Sequence, residues 1–78
     1  MSPQGAILSL LDRRAAGRTI CPSEAARAIA GGGGDWRAAM PAVHRAVDEL
    51  VMGGKIVLTW KGRALVQRDG PYRIARPA

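Results

Sequence analysis

The sequence predicts an α+β fold of the winged helix-turn-helix kind: three helices followed by a small C-terminal β-hairpin, in one domain spanning residues 1–78. Three observations carry this. Cys21-Pro22-Ser23-Glu24 opens a short helix that runs into a run of four glycines, Gly31 to Gly34. A second helix signal follows directly, from Asp35-Trp36-Arg37 through Val43, Val47 and Leu50. The pattern then changes to the strand-like Ile56-Val57-Leu58-Thr59-Trp60, ending in the basic turn Lys61-Gly62-Arg63. Helix, turn, helix and basic hairpin, in that order, make a nucleic-acid binder the leading functional candidate.

The first helix is expected over Pro3 to Ala16. Ser2 is placed to cap it, Pro3 fits the first helical position, and Gly17 is a natural stop. Ile7, Leu8, Leu10 and Leu11 recur at helical spacing and form its apolar stripe. Thr19-Ile20 reads as a minimal strand. The second helix begins after Cys21, with Pro22 first and Glu24 third, where a carboxylate reaches back to the cap. It runs to about Ala30, with Ala25, Ala26 and Ile29 as a narrow face suited to close packing.

Asp35 is a good cap for the third helix. Pro41 falls inside the helical pattern, where it removes a backbone donor. The expectation is therefore a separate opening turn over 36–40 and a main helix from Pro41 to about Met52, stopped by Gly53-Gly54. Val43, Val47, Leu50 and Val51 form its inward stripe. A strand over 55–60 buries Ile56, Leu58 and Trp60 by alternation. Residues 61–70 form the wing, with a few paired residues over 64–67. The returning strand covers 71–76 and turns Tyr72 and Ile74 inward.

Composition limits the function. At 78 residues the chain buries about 60% of its unfolded surface. It has no Phe, so the core is aliphatic and rich in alanine, and Trp36 and Trp60 are read as core residues. The net charge is +6. From Lys55 onward six cations face a single carboxylate, Asp69, so the charge concentrates in the hairpin region. Such an excess favours a polyanionic partner. The single cysteine, Cys21, excludes an intrachain disulfide and fits a reducing, cytoplasmic setting. No apolar run approaches the roughly 18–20 residues of a membrane span, so no membrane role is expected. The chain is expected to be a monomer without cofactor or metal.

Four runs, Thr19-Ile20-Cys21-Pro22-Ser23-Glu24, Trp36-Arg37-Ala38-Ala39-Met40-Pro41-Ala42-Val43, Gly54-Lys55-Ile56-Val57 and Lys61-Gly62-Arg63, carry a family resemblance. Over roughly residues 5–76 the chain resembles the small bacterial family of unknown function numbered three-two-five-three. The resemblance implies a winged-helix-like domain and supplies no function.

The candidate contacts to nucleic acid are Arg37, His44 and Arg45 on the third helix and Lys61, Arg63 and Arg68 at the wing. The first three occupy the place of a recognition helix, whose N-terminal part meets base edges. The wing cations suit the backbone or the minor groove, where negative potential is concentrated. The chain has no Asn, and its two Gln residues, Gln4 and Gln67, lie outside this helix. Adenine-reading side chains are thus missing, and the expectation is double-stranded DNA bound mainly by phosphates with weak sequence discrimination. About five phosphate contacts give a log–log salt slope near −4.5. An acidic protein partner, or RNA, is the alternative. An enzyme is not expected: Ser23, His44 and Asp48 have no triad spacing, and the glycine run lacks the Lys and Ser/Thr of a phosphate loop.

Overall fold

A computed structural model describes residues 1–77. It contains helices α1 (Pro3–Asp12), α2 (Pro22–Ala30) and α3 (Trp36–Met52), followed by strands β1 (Val57–Trp60), β2 (Arg63–Leu65) and β3 (Arg73–Ala75). The strands form one antiparallel sheet in the order β2-β1-β3. This is the α+β layout that the sequence predicts, with a third strand in place of a simple hairpin.

Ser2 caps α1 as expected, its hydroxyl accepting from the Gly5 N–H at 3.0 Å. The helix stops at Asp12 rather than Ala16. Beyond Leu11 the residues at helical spacing are Arg14 and Ala15, and neither is buried, so a longer helix would gain little. The amides of Arg13 and Arg14 instead close tight turns onto Leu10 and Leu11. Ile7 and Leu11 are buried, whereas Leu8 faces out of the stripe the sequence assigned to it. In α2, the Glu24 carboxylate accepts from the Cys21 N–H at 3.1 Å and from Arg14 at 3.0 Å. Ala25 and Ala26 are fully buried, and their small side chains let α2 approach α3 closely.

Helix α3 is continuous through Pro41, contrary to the expected break. The missing Pro41 donor would have met the carbonyl of Arg37, four residues earlier. Both residues are exposed, on the side of the helix where water can supply the missing donor. Asp35 caps the helix by accepting from the Arg37 N–H at 3.2 Å. At the other end the Lys55 N–H bonds Leu50 O at 2.9 Å and the Gly54 N–H bonds Val51 O at 3.0 Å. That pair is a Schellman cap, and it needs the left-handed φ of +71° that Gly54 adopts. The Lys55 amide is used there, and the ladder begins two residues later with Val57 opposite Ala75.

Trp60 pairs with Arg63 across a two-residue turn, Lys61-Gly62, with φ of +51° and +81°. Two positive φ values define the hairpin turn whose twist matches antiparallel strands. The wing is therefore a tight hairpin followed by a connection over 66–72, not one open loop. Ala64 and Leu65 pair with β1 while Val66 and Gln67 do not. The returning strand shortens to Arg73–Ala75. Ile20 forms the expected minimal strand as a bridge to Ile74, with bonds of 2.8 and 2.9 Å.

The core is aliphatic: Ile7 and Leu11 meet Val43, Val47 and Leu50, and Ile20, Ile56, Leu58 and Ile74 close it from the sheet side. No charged side chain among the described residues is buried. Trp36 packs half-buried at the core's edge. Trp60, expected inside, is 38% exposed, because it sits at the last position of β1 beside the hairpin turn. Among the described residues no helix is long and apolar enough to cross a membrane.

A domain of this size has a total stability of about 4–12 kcal/mol. Leu58→Ala, which empties a buried site, should cost about 2–5 kcal/mol in urea unfolding. Val57→Ala, one residue away on the outward face, should stay within about 0.5 kcal/mol. Equal losses at the two positions would contradict this assignment of faces.

Candidate nucleic-acid interface

Of the six candidate residues, Arg37, His44 and Arg45 lie on α3, where successive residues point about 100° apart, so His44 and Arg45 do not share one face. Arg37 is exposed at the N-terminal end, its guanidinium 4.5 Å from the centre of the Trp36 ring. Arg27 of α2 also lies over that ring, at 4.8 Å. The indole thus holds two cations from two helices together at the start of α3 through its negative face.

Arg45 is exposed on the side of α3 that faces the N-terminus of α1, in a shallow groove with Gln4 and Glu49. There Gln4 donates to the Glu49 carboxylate at 3.0 Å. His44 turns toward the segment that leads into β3. Its Nδ1 shares a hydrogen bond of 2.6 Å with the Tyr72 hydroxyl, and the two rings are tilted at 57° with centres 5.7 Å apart. The fold therefore separates Arg45 from His44.

Arg68 is not a free wing cation. Its Nε donates to Asp48 Oδ1 at 2.7 Å and its Nη2 to Oδ2 at 2.9 Å, a two-pronged pair across the connection and α3. Its guanidinium edge is committed to that carboxylate. Asp48 lies one helical turn after His44, so the ion pair and the His44–Tyr72 bond form adjacent ties between α3 and the segment leading into β3. The hydrogen bond from Arg68 holds the Asp48 carboxyl below its usual range. Burial lowers the His44 pKa, the nearby Arg68 charge lowers it further, and Asp48 partly opposes both. Burial pushes the Tyr72 phenol up to about 12.

Lys61 and Arg63 project from the hairpin turn, both exposed, with the Lys61 ammonium 6.0 Å from the Trp60 ring centre. Among the described residues the ion pairs are Arg14–Glu24 and Arg68–Asp48. Arg37, Arg45, Lys61 and Arg63 have no carboxylate partner there. Sequence reasoning missed Arg27, Asp48 and Tyr72. The four-residue spacing of His44 and Asp48 was a usable signal for Asp48. No spacing connects Tyr72 to His44 or Arg27 to Trp36. Among the described residues no group of three or more His, Cys, Asp or Glu is placed to hold a metal ion.

The family model described as "Protein of unknown function (DUF3253)" matches residues 2–77. The chain belongs to the DUF3253 family. The match spans the three helices, the sheet and the ties between them, so this DUF3253 chain is matched along its whole described fold. No curated protein matches it.

Tyr72 is the only tyrosine and His44 the only histidine, so each titration reports one residue. Tyrosinate absorbance should rise with a midpoint about 12, against 10.0 for a free phenol. Its contribution to stability is complete below pH 10 and is lost as pH climbs toward 12. His44 behaves in the opposite sense. Its folded pKa lies below 6.5, so the unfolded chain takes up the proton first. That contribution is complete above pH 6.5 and declines as the medium is acidified further. A Tyr72 midpoint at 10 in the folded protein would show that the His44–Tyr72 tie is open to water.

Proposed function

We propose that this chain is a DNA-binding module that grips the duplex chiefly by its phosphates. In this reading the N-terminal half of α3 approaches the major groove, and the Lys61-Gly62-Arg63 turn lies along the adjacent backbone. The reading is carried by one observation: Arg37, Arg45, Lys61 and Arg63 are exposed cations without a carboxylate partner among the described residues. Sequence discrimination is weak, because Ala38, Ala42 and Pro41 surround these arginines and no Asn or Gln lies on α3. We assign the module to the cytoplasm on its single free cysteine, and we take it to act as a monomer.

A second reading, docking to an acidic protein, draws on a different observation. Met52 and Val66 are 90% and 92% exposed and border a groove beside Arg68. Recovery of one stoichiometric protein partner without DNA would favour it.

With Arg68 engaged by Asp48, four phosphate contacts remain, and the log–log salt slope for duplex binding should be about −3.6. Replacing Lys61 and Arg63 by Ala should reduce that slope by about 1.8 and weaken all sequences alike. Fluorescence anisotropy of labelled DNA and RNA duplexes between 50 and 200 mM salt reads both quantities. Binding indifferent to salt, or a loss confined to one sequence, would contradict the reading.

A further inference from the structure

A second basic cluster lies away from α3. Tyr72 and Ile74 of the β3 segment point inward and are buried, so Arg73, between them, faces the outer side of the sheet. There its Nε donates to Thr19 Oγ1 at 2.6 Å and its Nη2 to Thr19 O at 3.3 Å. Arg76 crosses to the same loop, its Nη2 donating to the carbonyl of Arg14 at 2.6 Å. Arg14, Arg18 and Arg73 line one groove, whose remaining walls are Gly17 and Thr19.

Four guanidiniums are thus gathered around residues 14–19, and Glu24, bonded to Arg14, is the one carboxylate tied to them among the described residues. The tethers of Arg73 and Arg76 are a neutral hydroxyl and neutral carbonyls. They restrict the side chains without cancelling their charge. Arg18 is exposed and makes no side-chain hydrogen bond among the described residues. Like charges held together by neutral acceptors repel one another, and an oxyanion seated among them relieves that repulsion. Restricting the guanidiniums beforehand lowers the ordering cost of binding. Guanidinium N–H groups match the oxygens of a phosphate in pairs.

We infer that Arg14, Arg18, Arg73 and Arg76 form a binding site for a phosphate group, separate from the α3 and hairpin surface. This inference goes beyond the DNA-binding reading and does not rest on it. The shared chemistry is a phosphate oxyanion, supplied either as free phosphate or as the terminal phosphate of a nucleic-acid strand.

The test follows arginine Nε–H and backbone amide NMR signals of the full chain while inorganic phosphate replaces chloride at constant ionic strength. The expected result is saturable movement of Arg18, Thr19 and Arg73, with Arg37 and Arg63 unmoved. Arg18→Glu, an exposed substitution, should weaken phosphate binding at least tenfold while leaving the thermal midpoint unchanged. Thr19→Val, which removes the hydroxyl that accepts from Arg73 Nε and leaves the backbone carbonyl in place, should weaken it as well. A short DNA strand with and without a 5′-phosphate separates the sources: movement at Arg18 that requires the terminal phosphate assigns the strand end, and movement with inorganic phosphate alone assigns the free ion. Unsaturating shifts spread over every arginine, or Arg18→Glu binding as tightly as the parent, would overturn the site. Duplex binding through Lys61 and Arg63 is measured in the same variant, so failure of this site and failure of the DNA-binding reading appear as different results.

Discussion

The Arg68–Asp48 pair, with the His44–Tyr72 hydrogen bond beside it, sets where the hairpin stands relative to α3. Without it, residues 66–71 have little else to hold them before Tyr72 enters the core. Val66 and Gln67 are unpaired and exposed, and Pro71 has no backbone donor. A bidentate guanidinium–carboxylate contact fixes both distance and orientation, which a single point charge does not. It is half-exposed, so its value lies in geometry more than in stability. By drawing Arg68 onto helix three, it also takes that residue out of the pool of free wing cations.

The aliphatic core makes this arrangement necessary. With no Phe and with alanines buried in α2, Tyr72 is, among the described residues, the only buried side chain between β2 and β3. Ile20, Leu58 and Ile74 fasten the sheet to the helices, but β2 sits at the sheet's outer edge and contributes no fully buried side chain. Polar ties to α3 do what packing does elsewhere. The same economy places both tryptophans at the margin, where they hold cations: Trp36 under Arg27 and Arg37, and Trp60 near Lys61.

Much of the fold was legible because its signals are local. Ser2, Cys21-Pro22-Ser23-Glu24, Asp35 and Gly53-Gly54 act within a few residues of themselves, and alternation placed Leu58, Tyr72 and Ile74 on the inner face. The errors arise where local rules met a wider context. Pro41 removes one backbone donor, yet it stands on the exposed side of α3 and the helix continues through it. The end of α1 depends on what lies beneath it rather than on Gly17. Lys61-Gly62 carried the signal of a two-residue turn, but the length of β2 after it depends on pairing with β1. The candidate site was less legible, since charge counting cannot tell a free cation from a paired one. Arg68, His44 and Tyr72 acquire their roles through contacts twenty and more residues apart in the chain.

The most direct test of the tie is the backbone mobility of residues 66–70. In the parent protein the ¹⁵N order parameters there should be close to those of α3, about 0.8, and in Asp48→Asn they should fall below about 0.6 with α3 unchanged. Equal mobility of that segment in the two proteins would show that something other than the ion pair positions the wing.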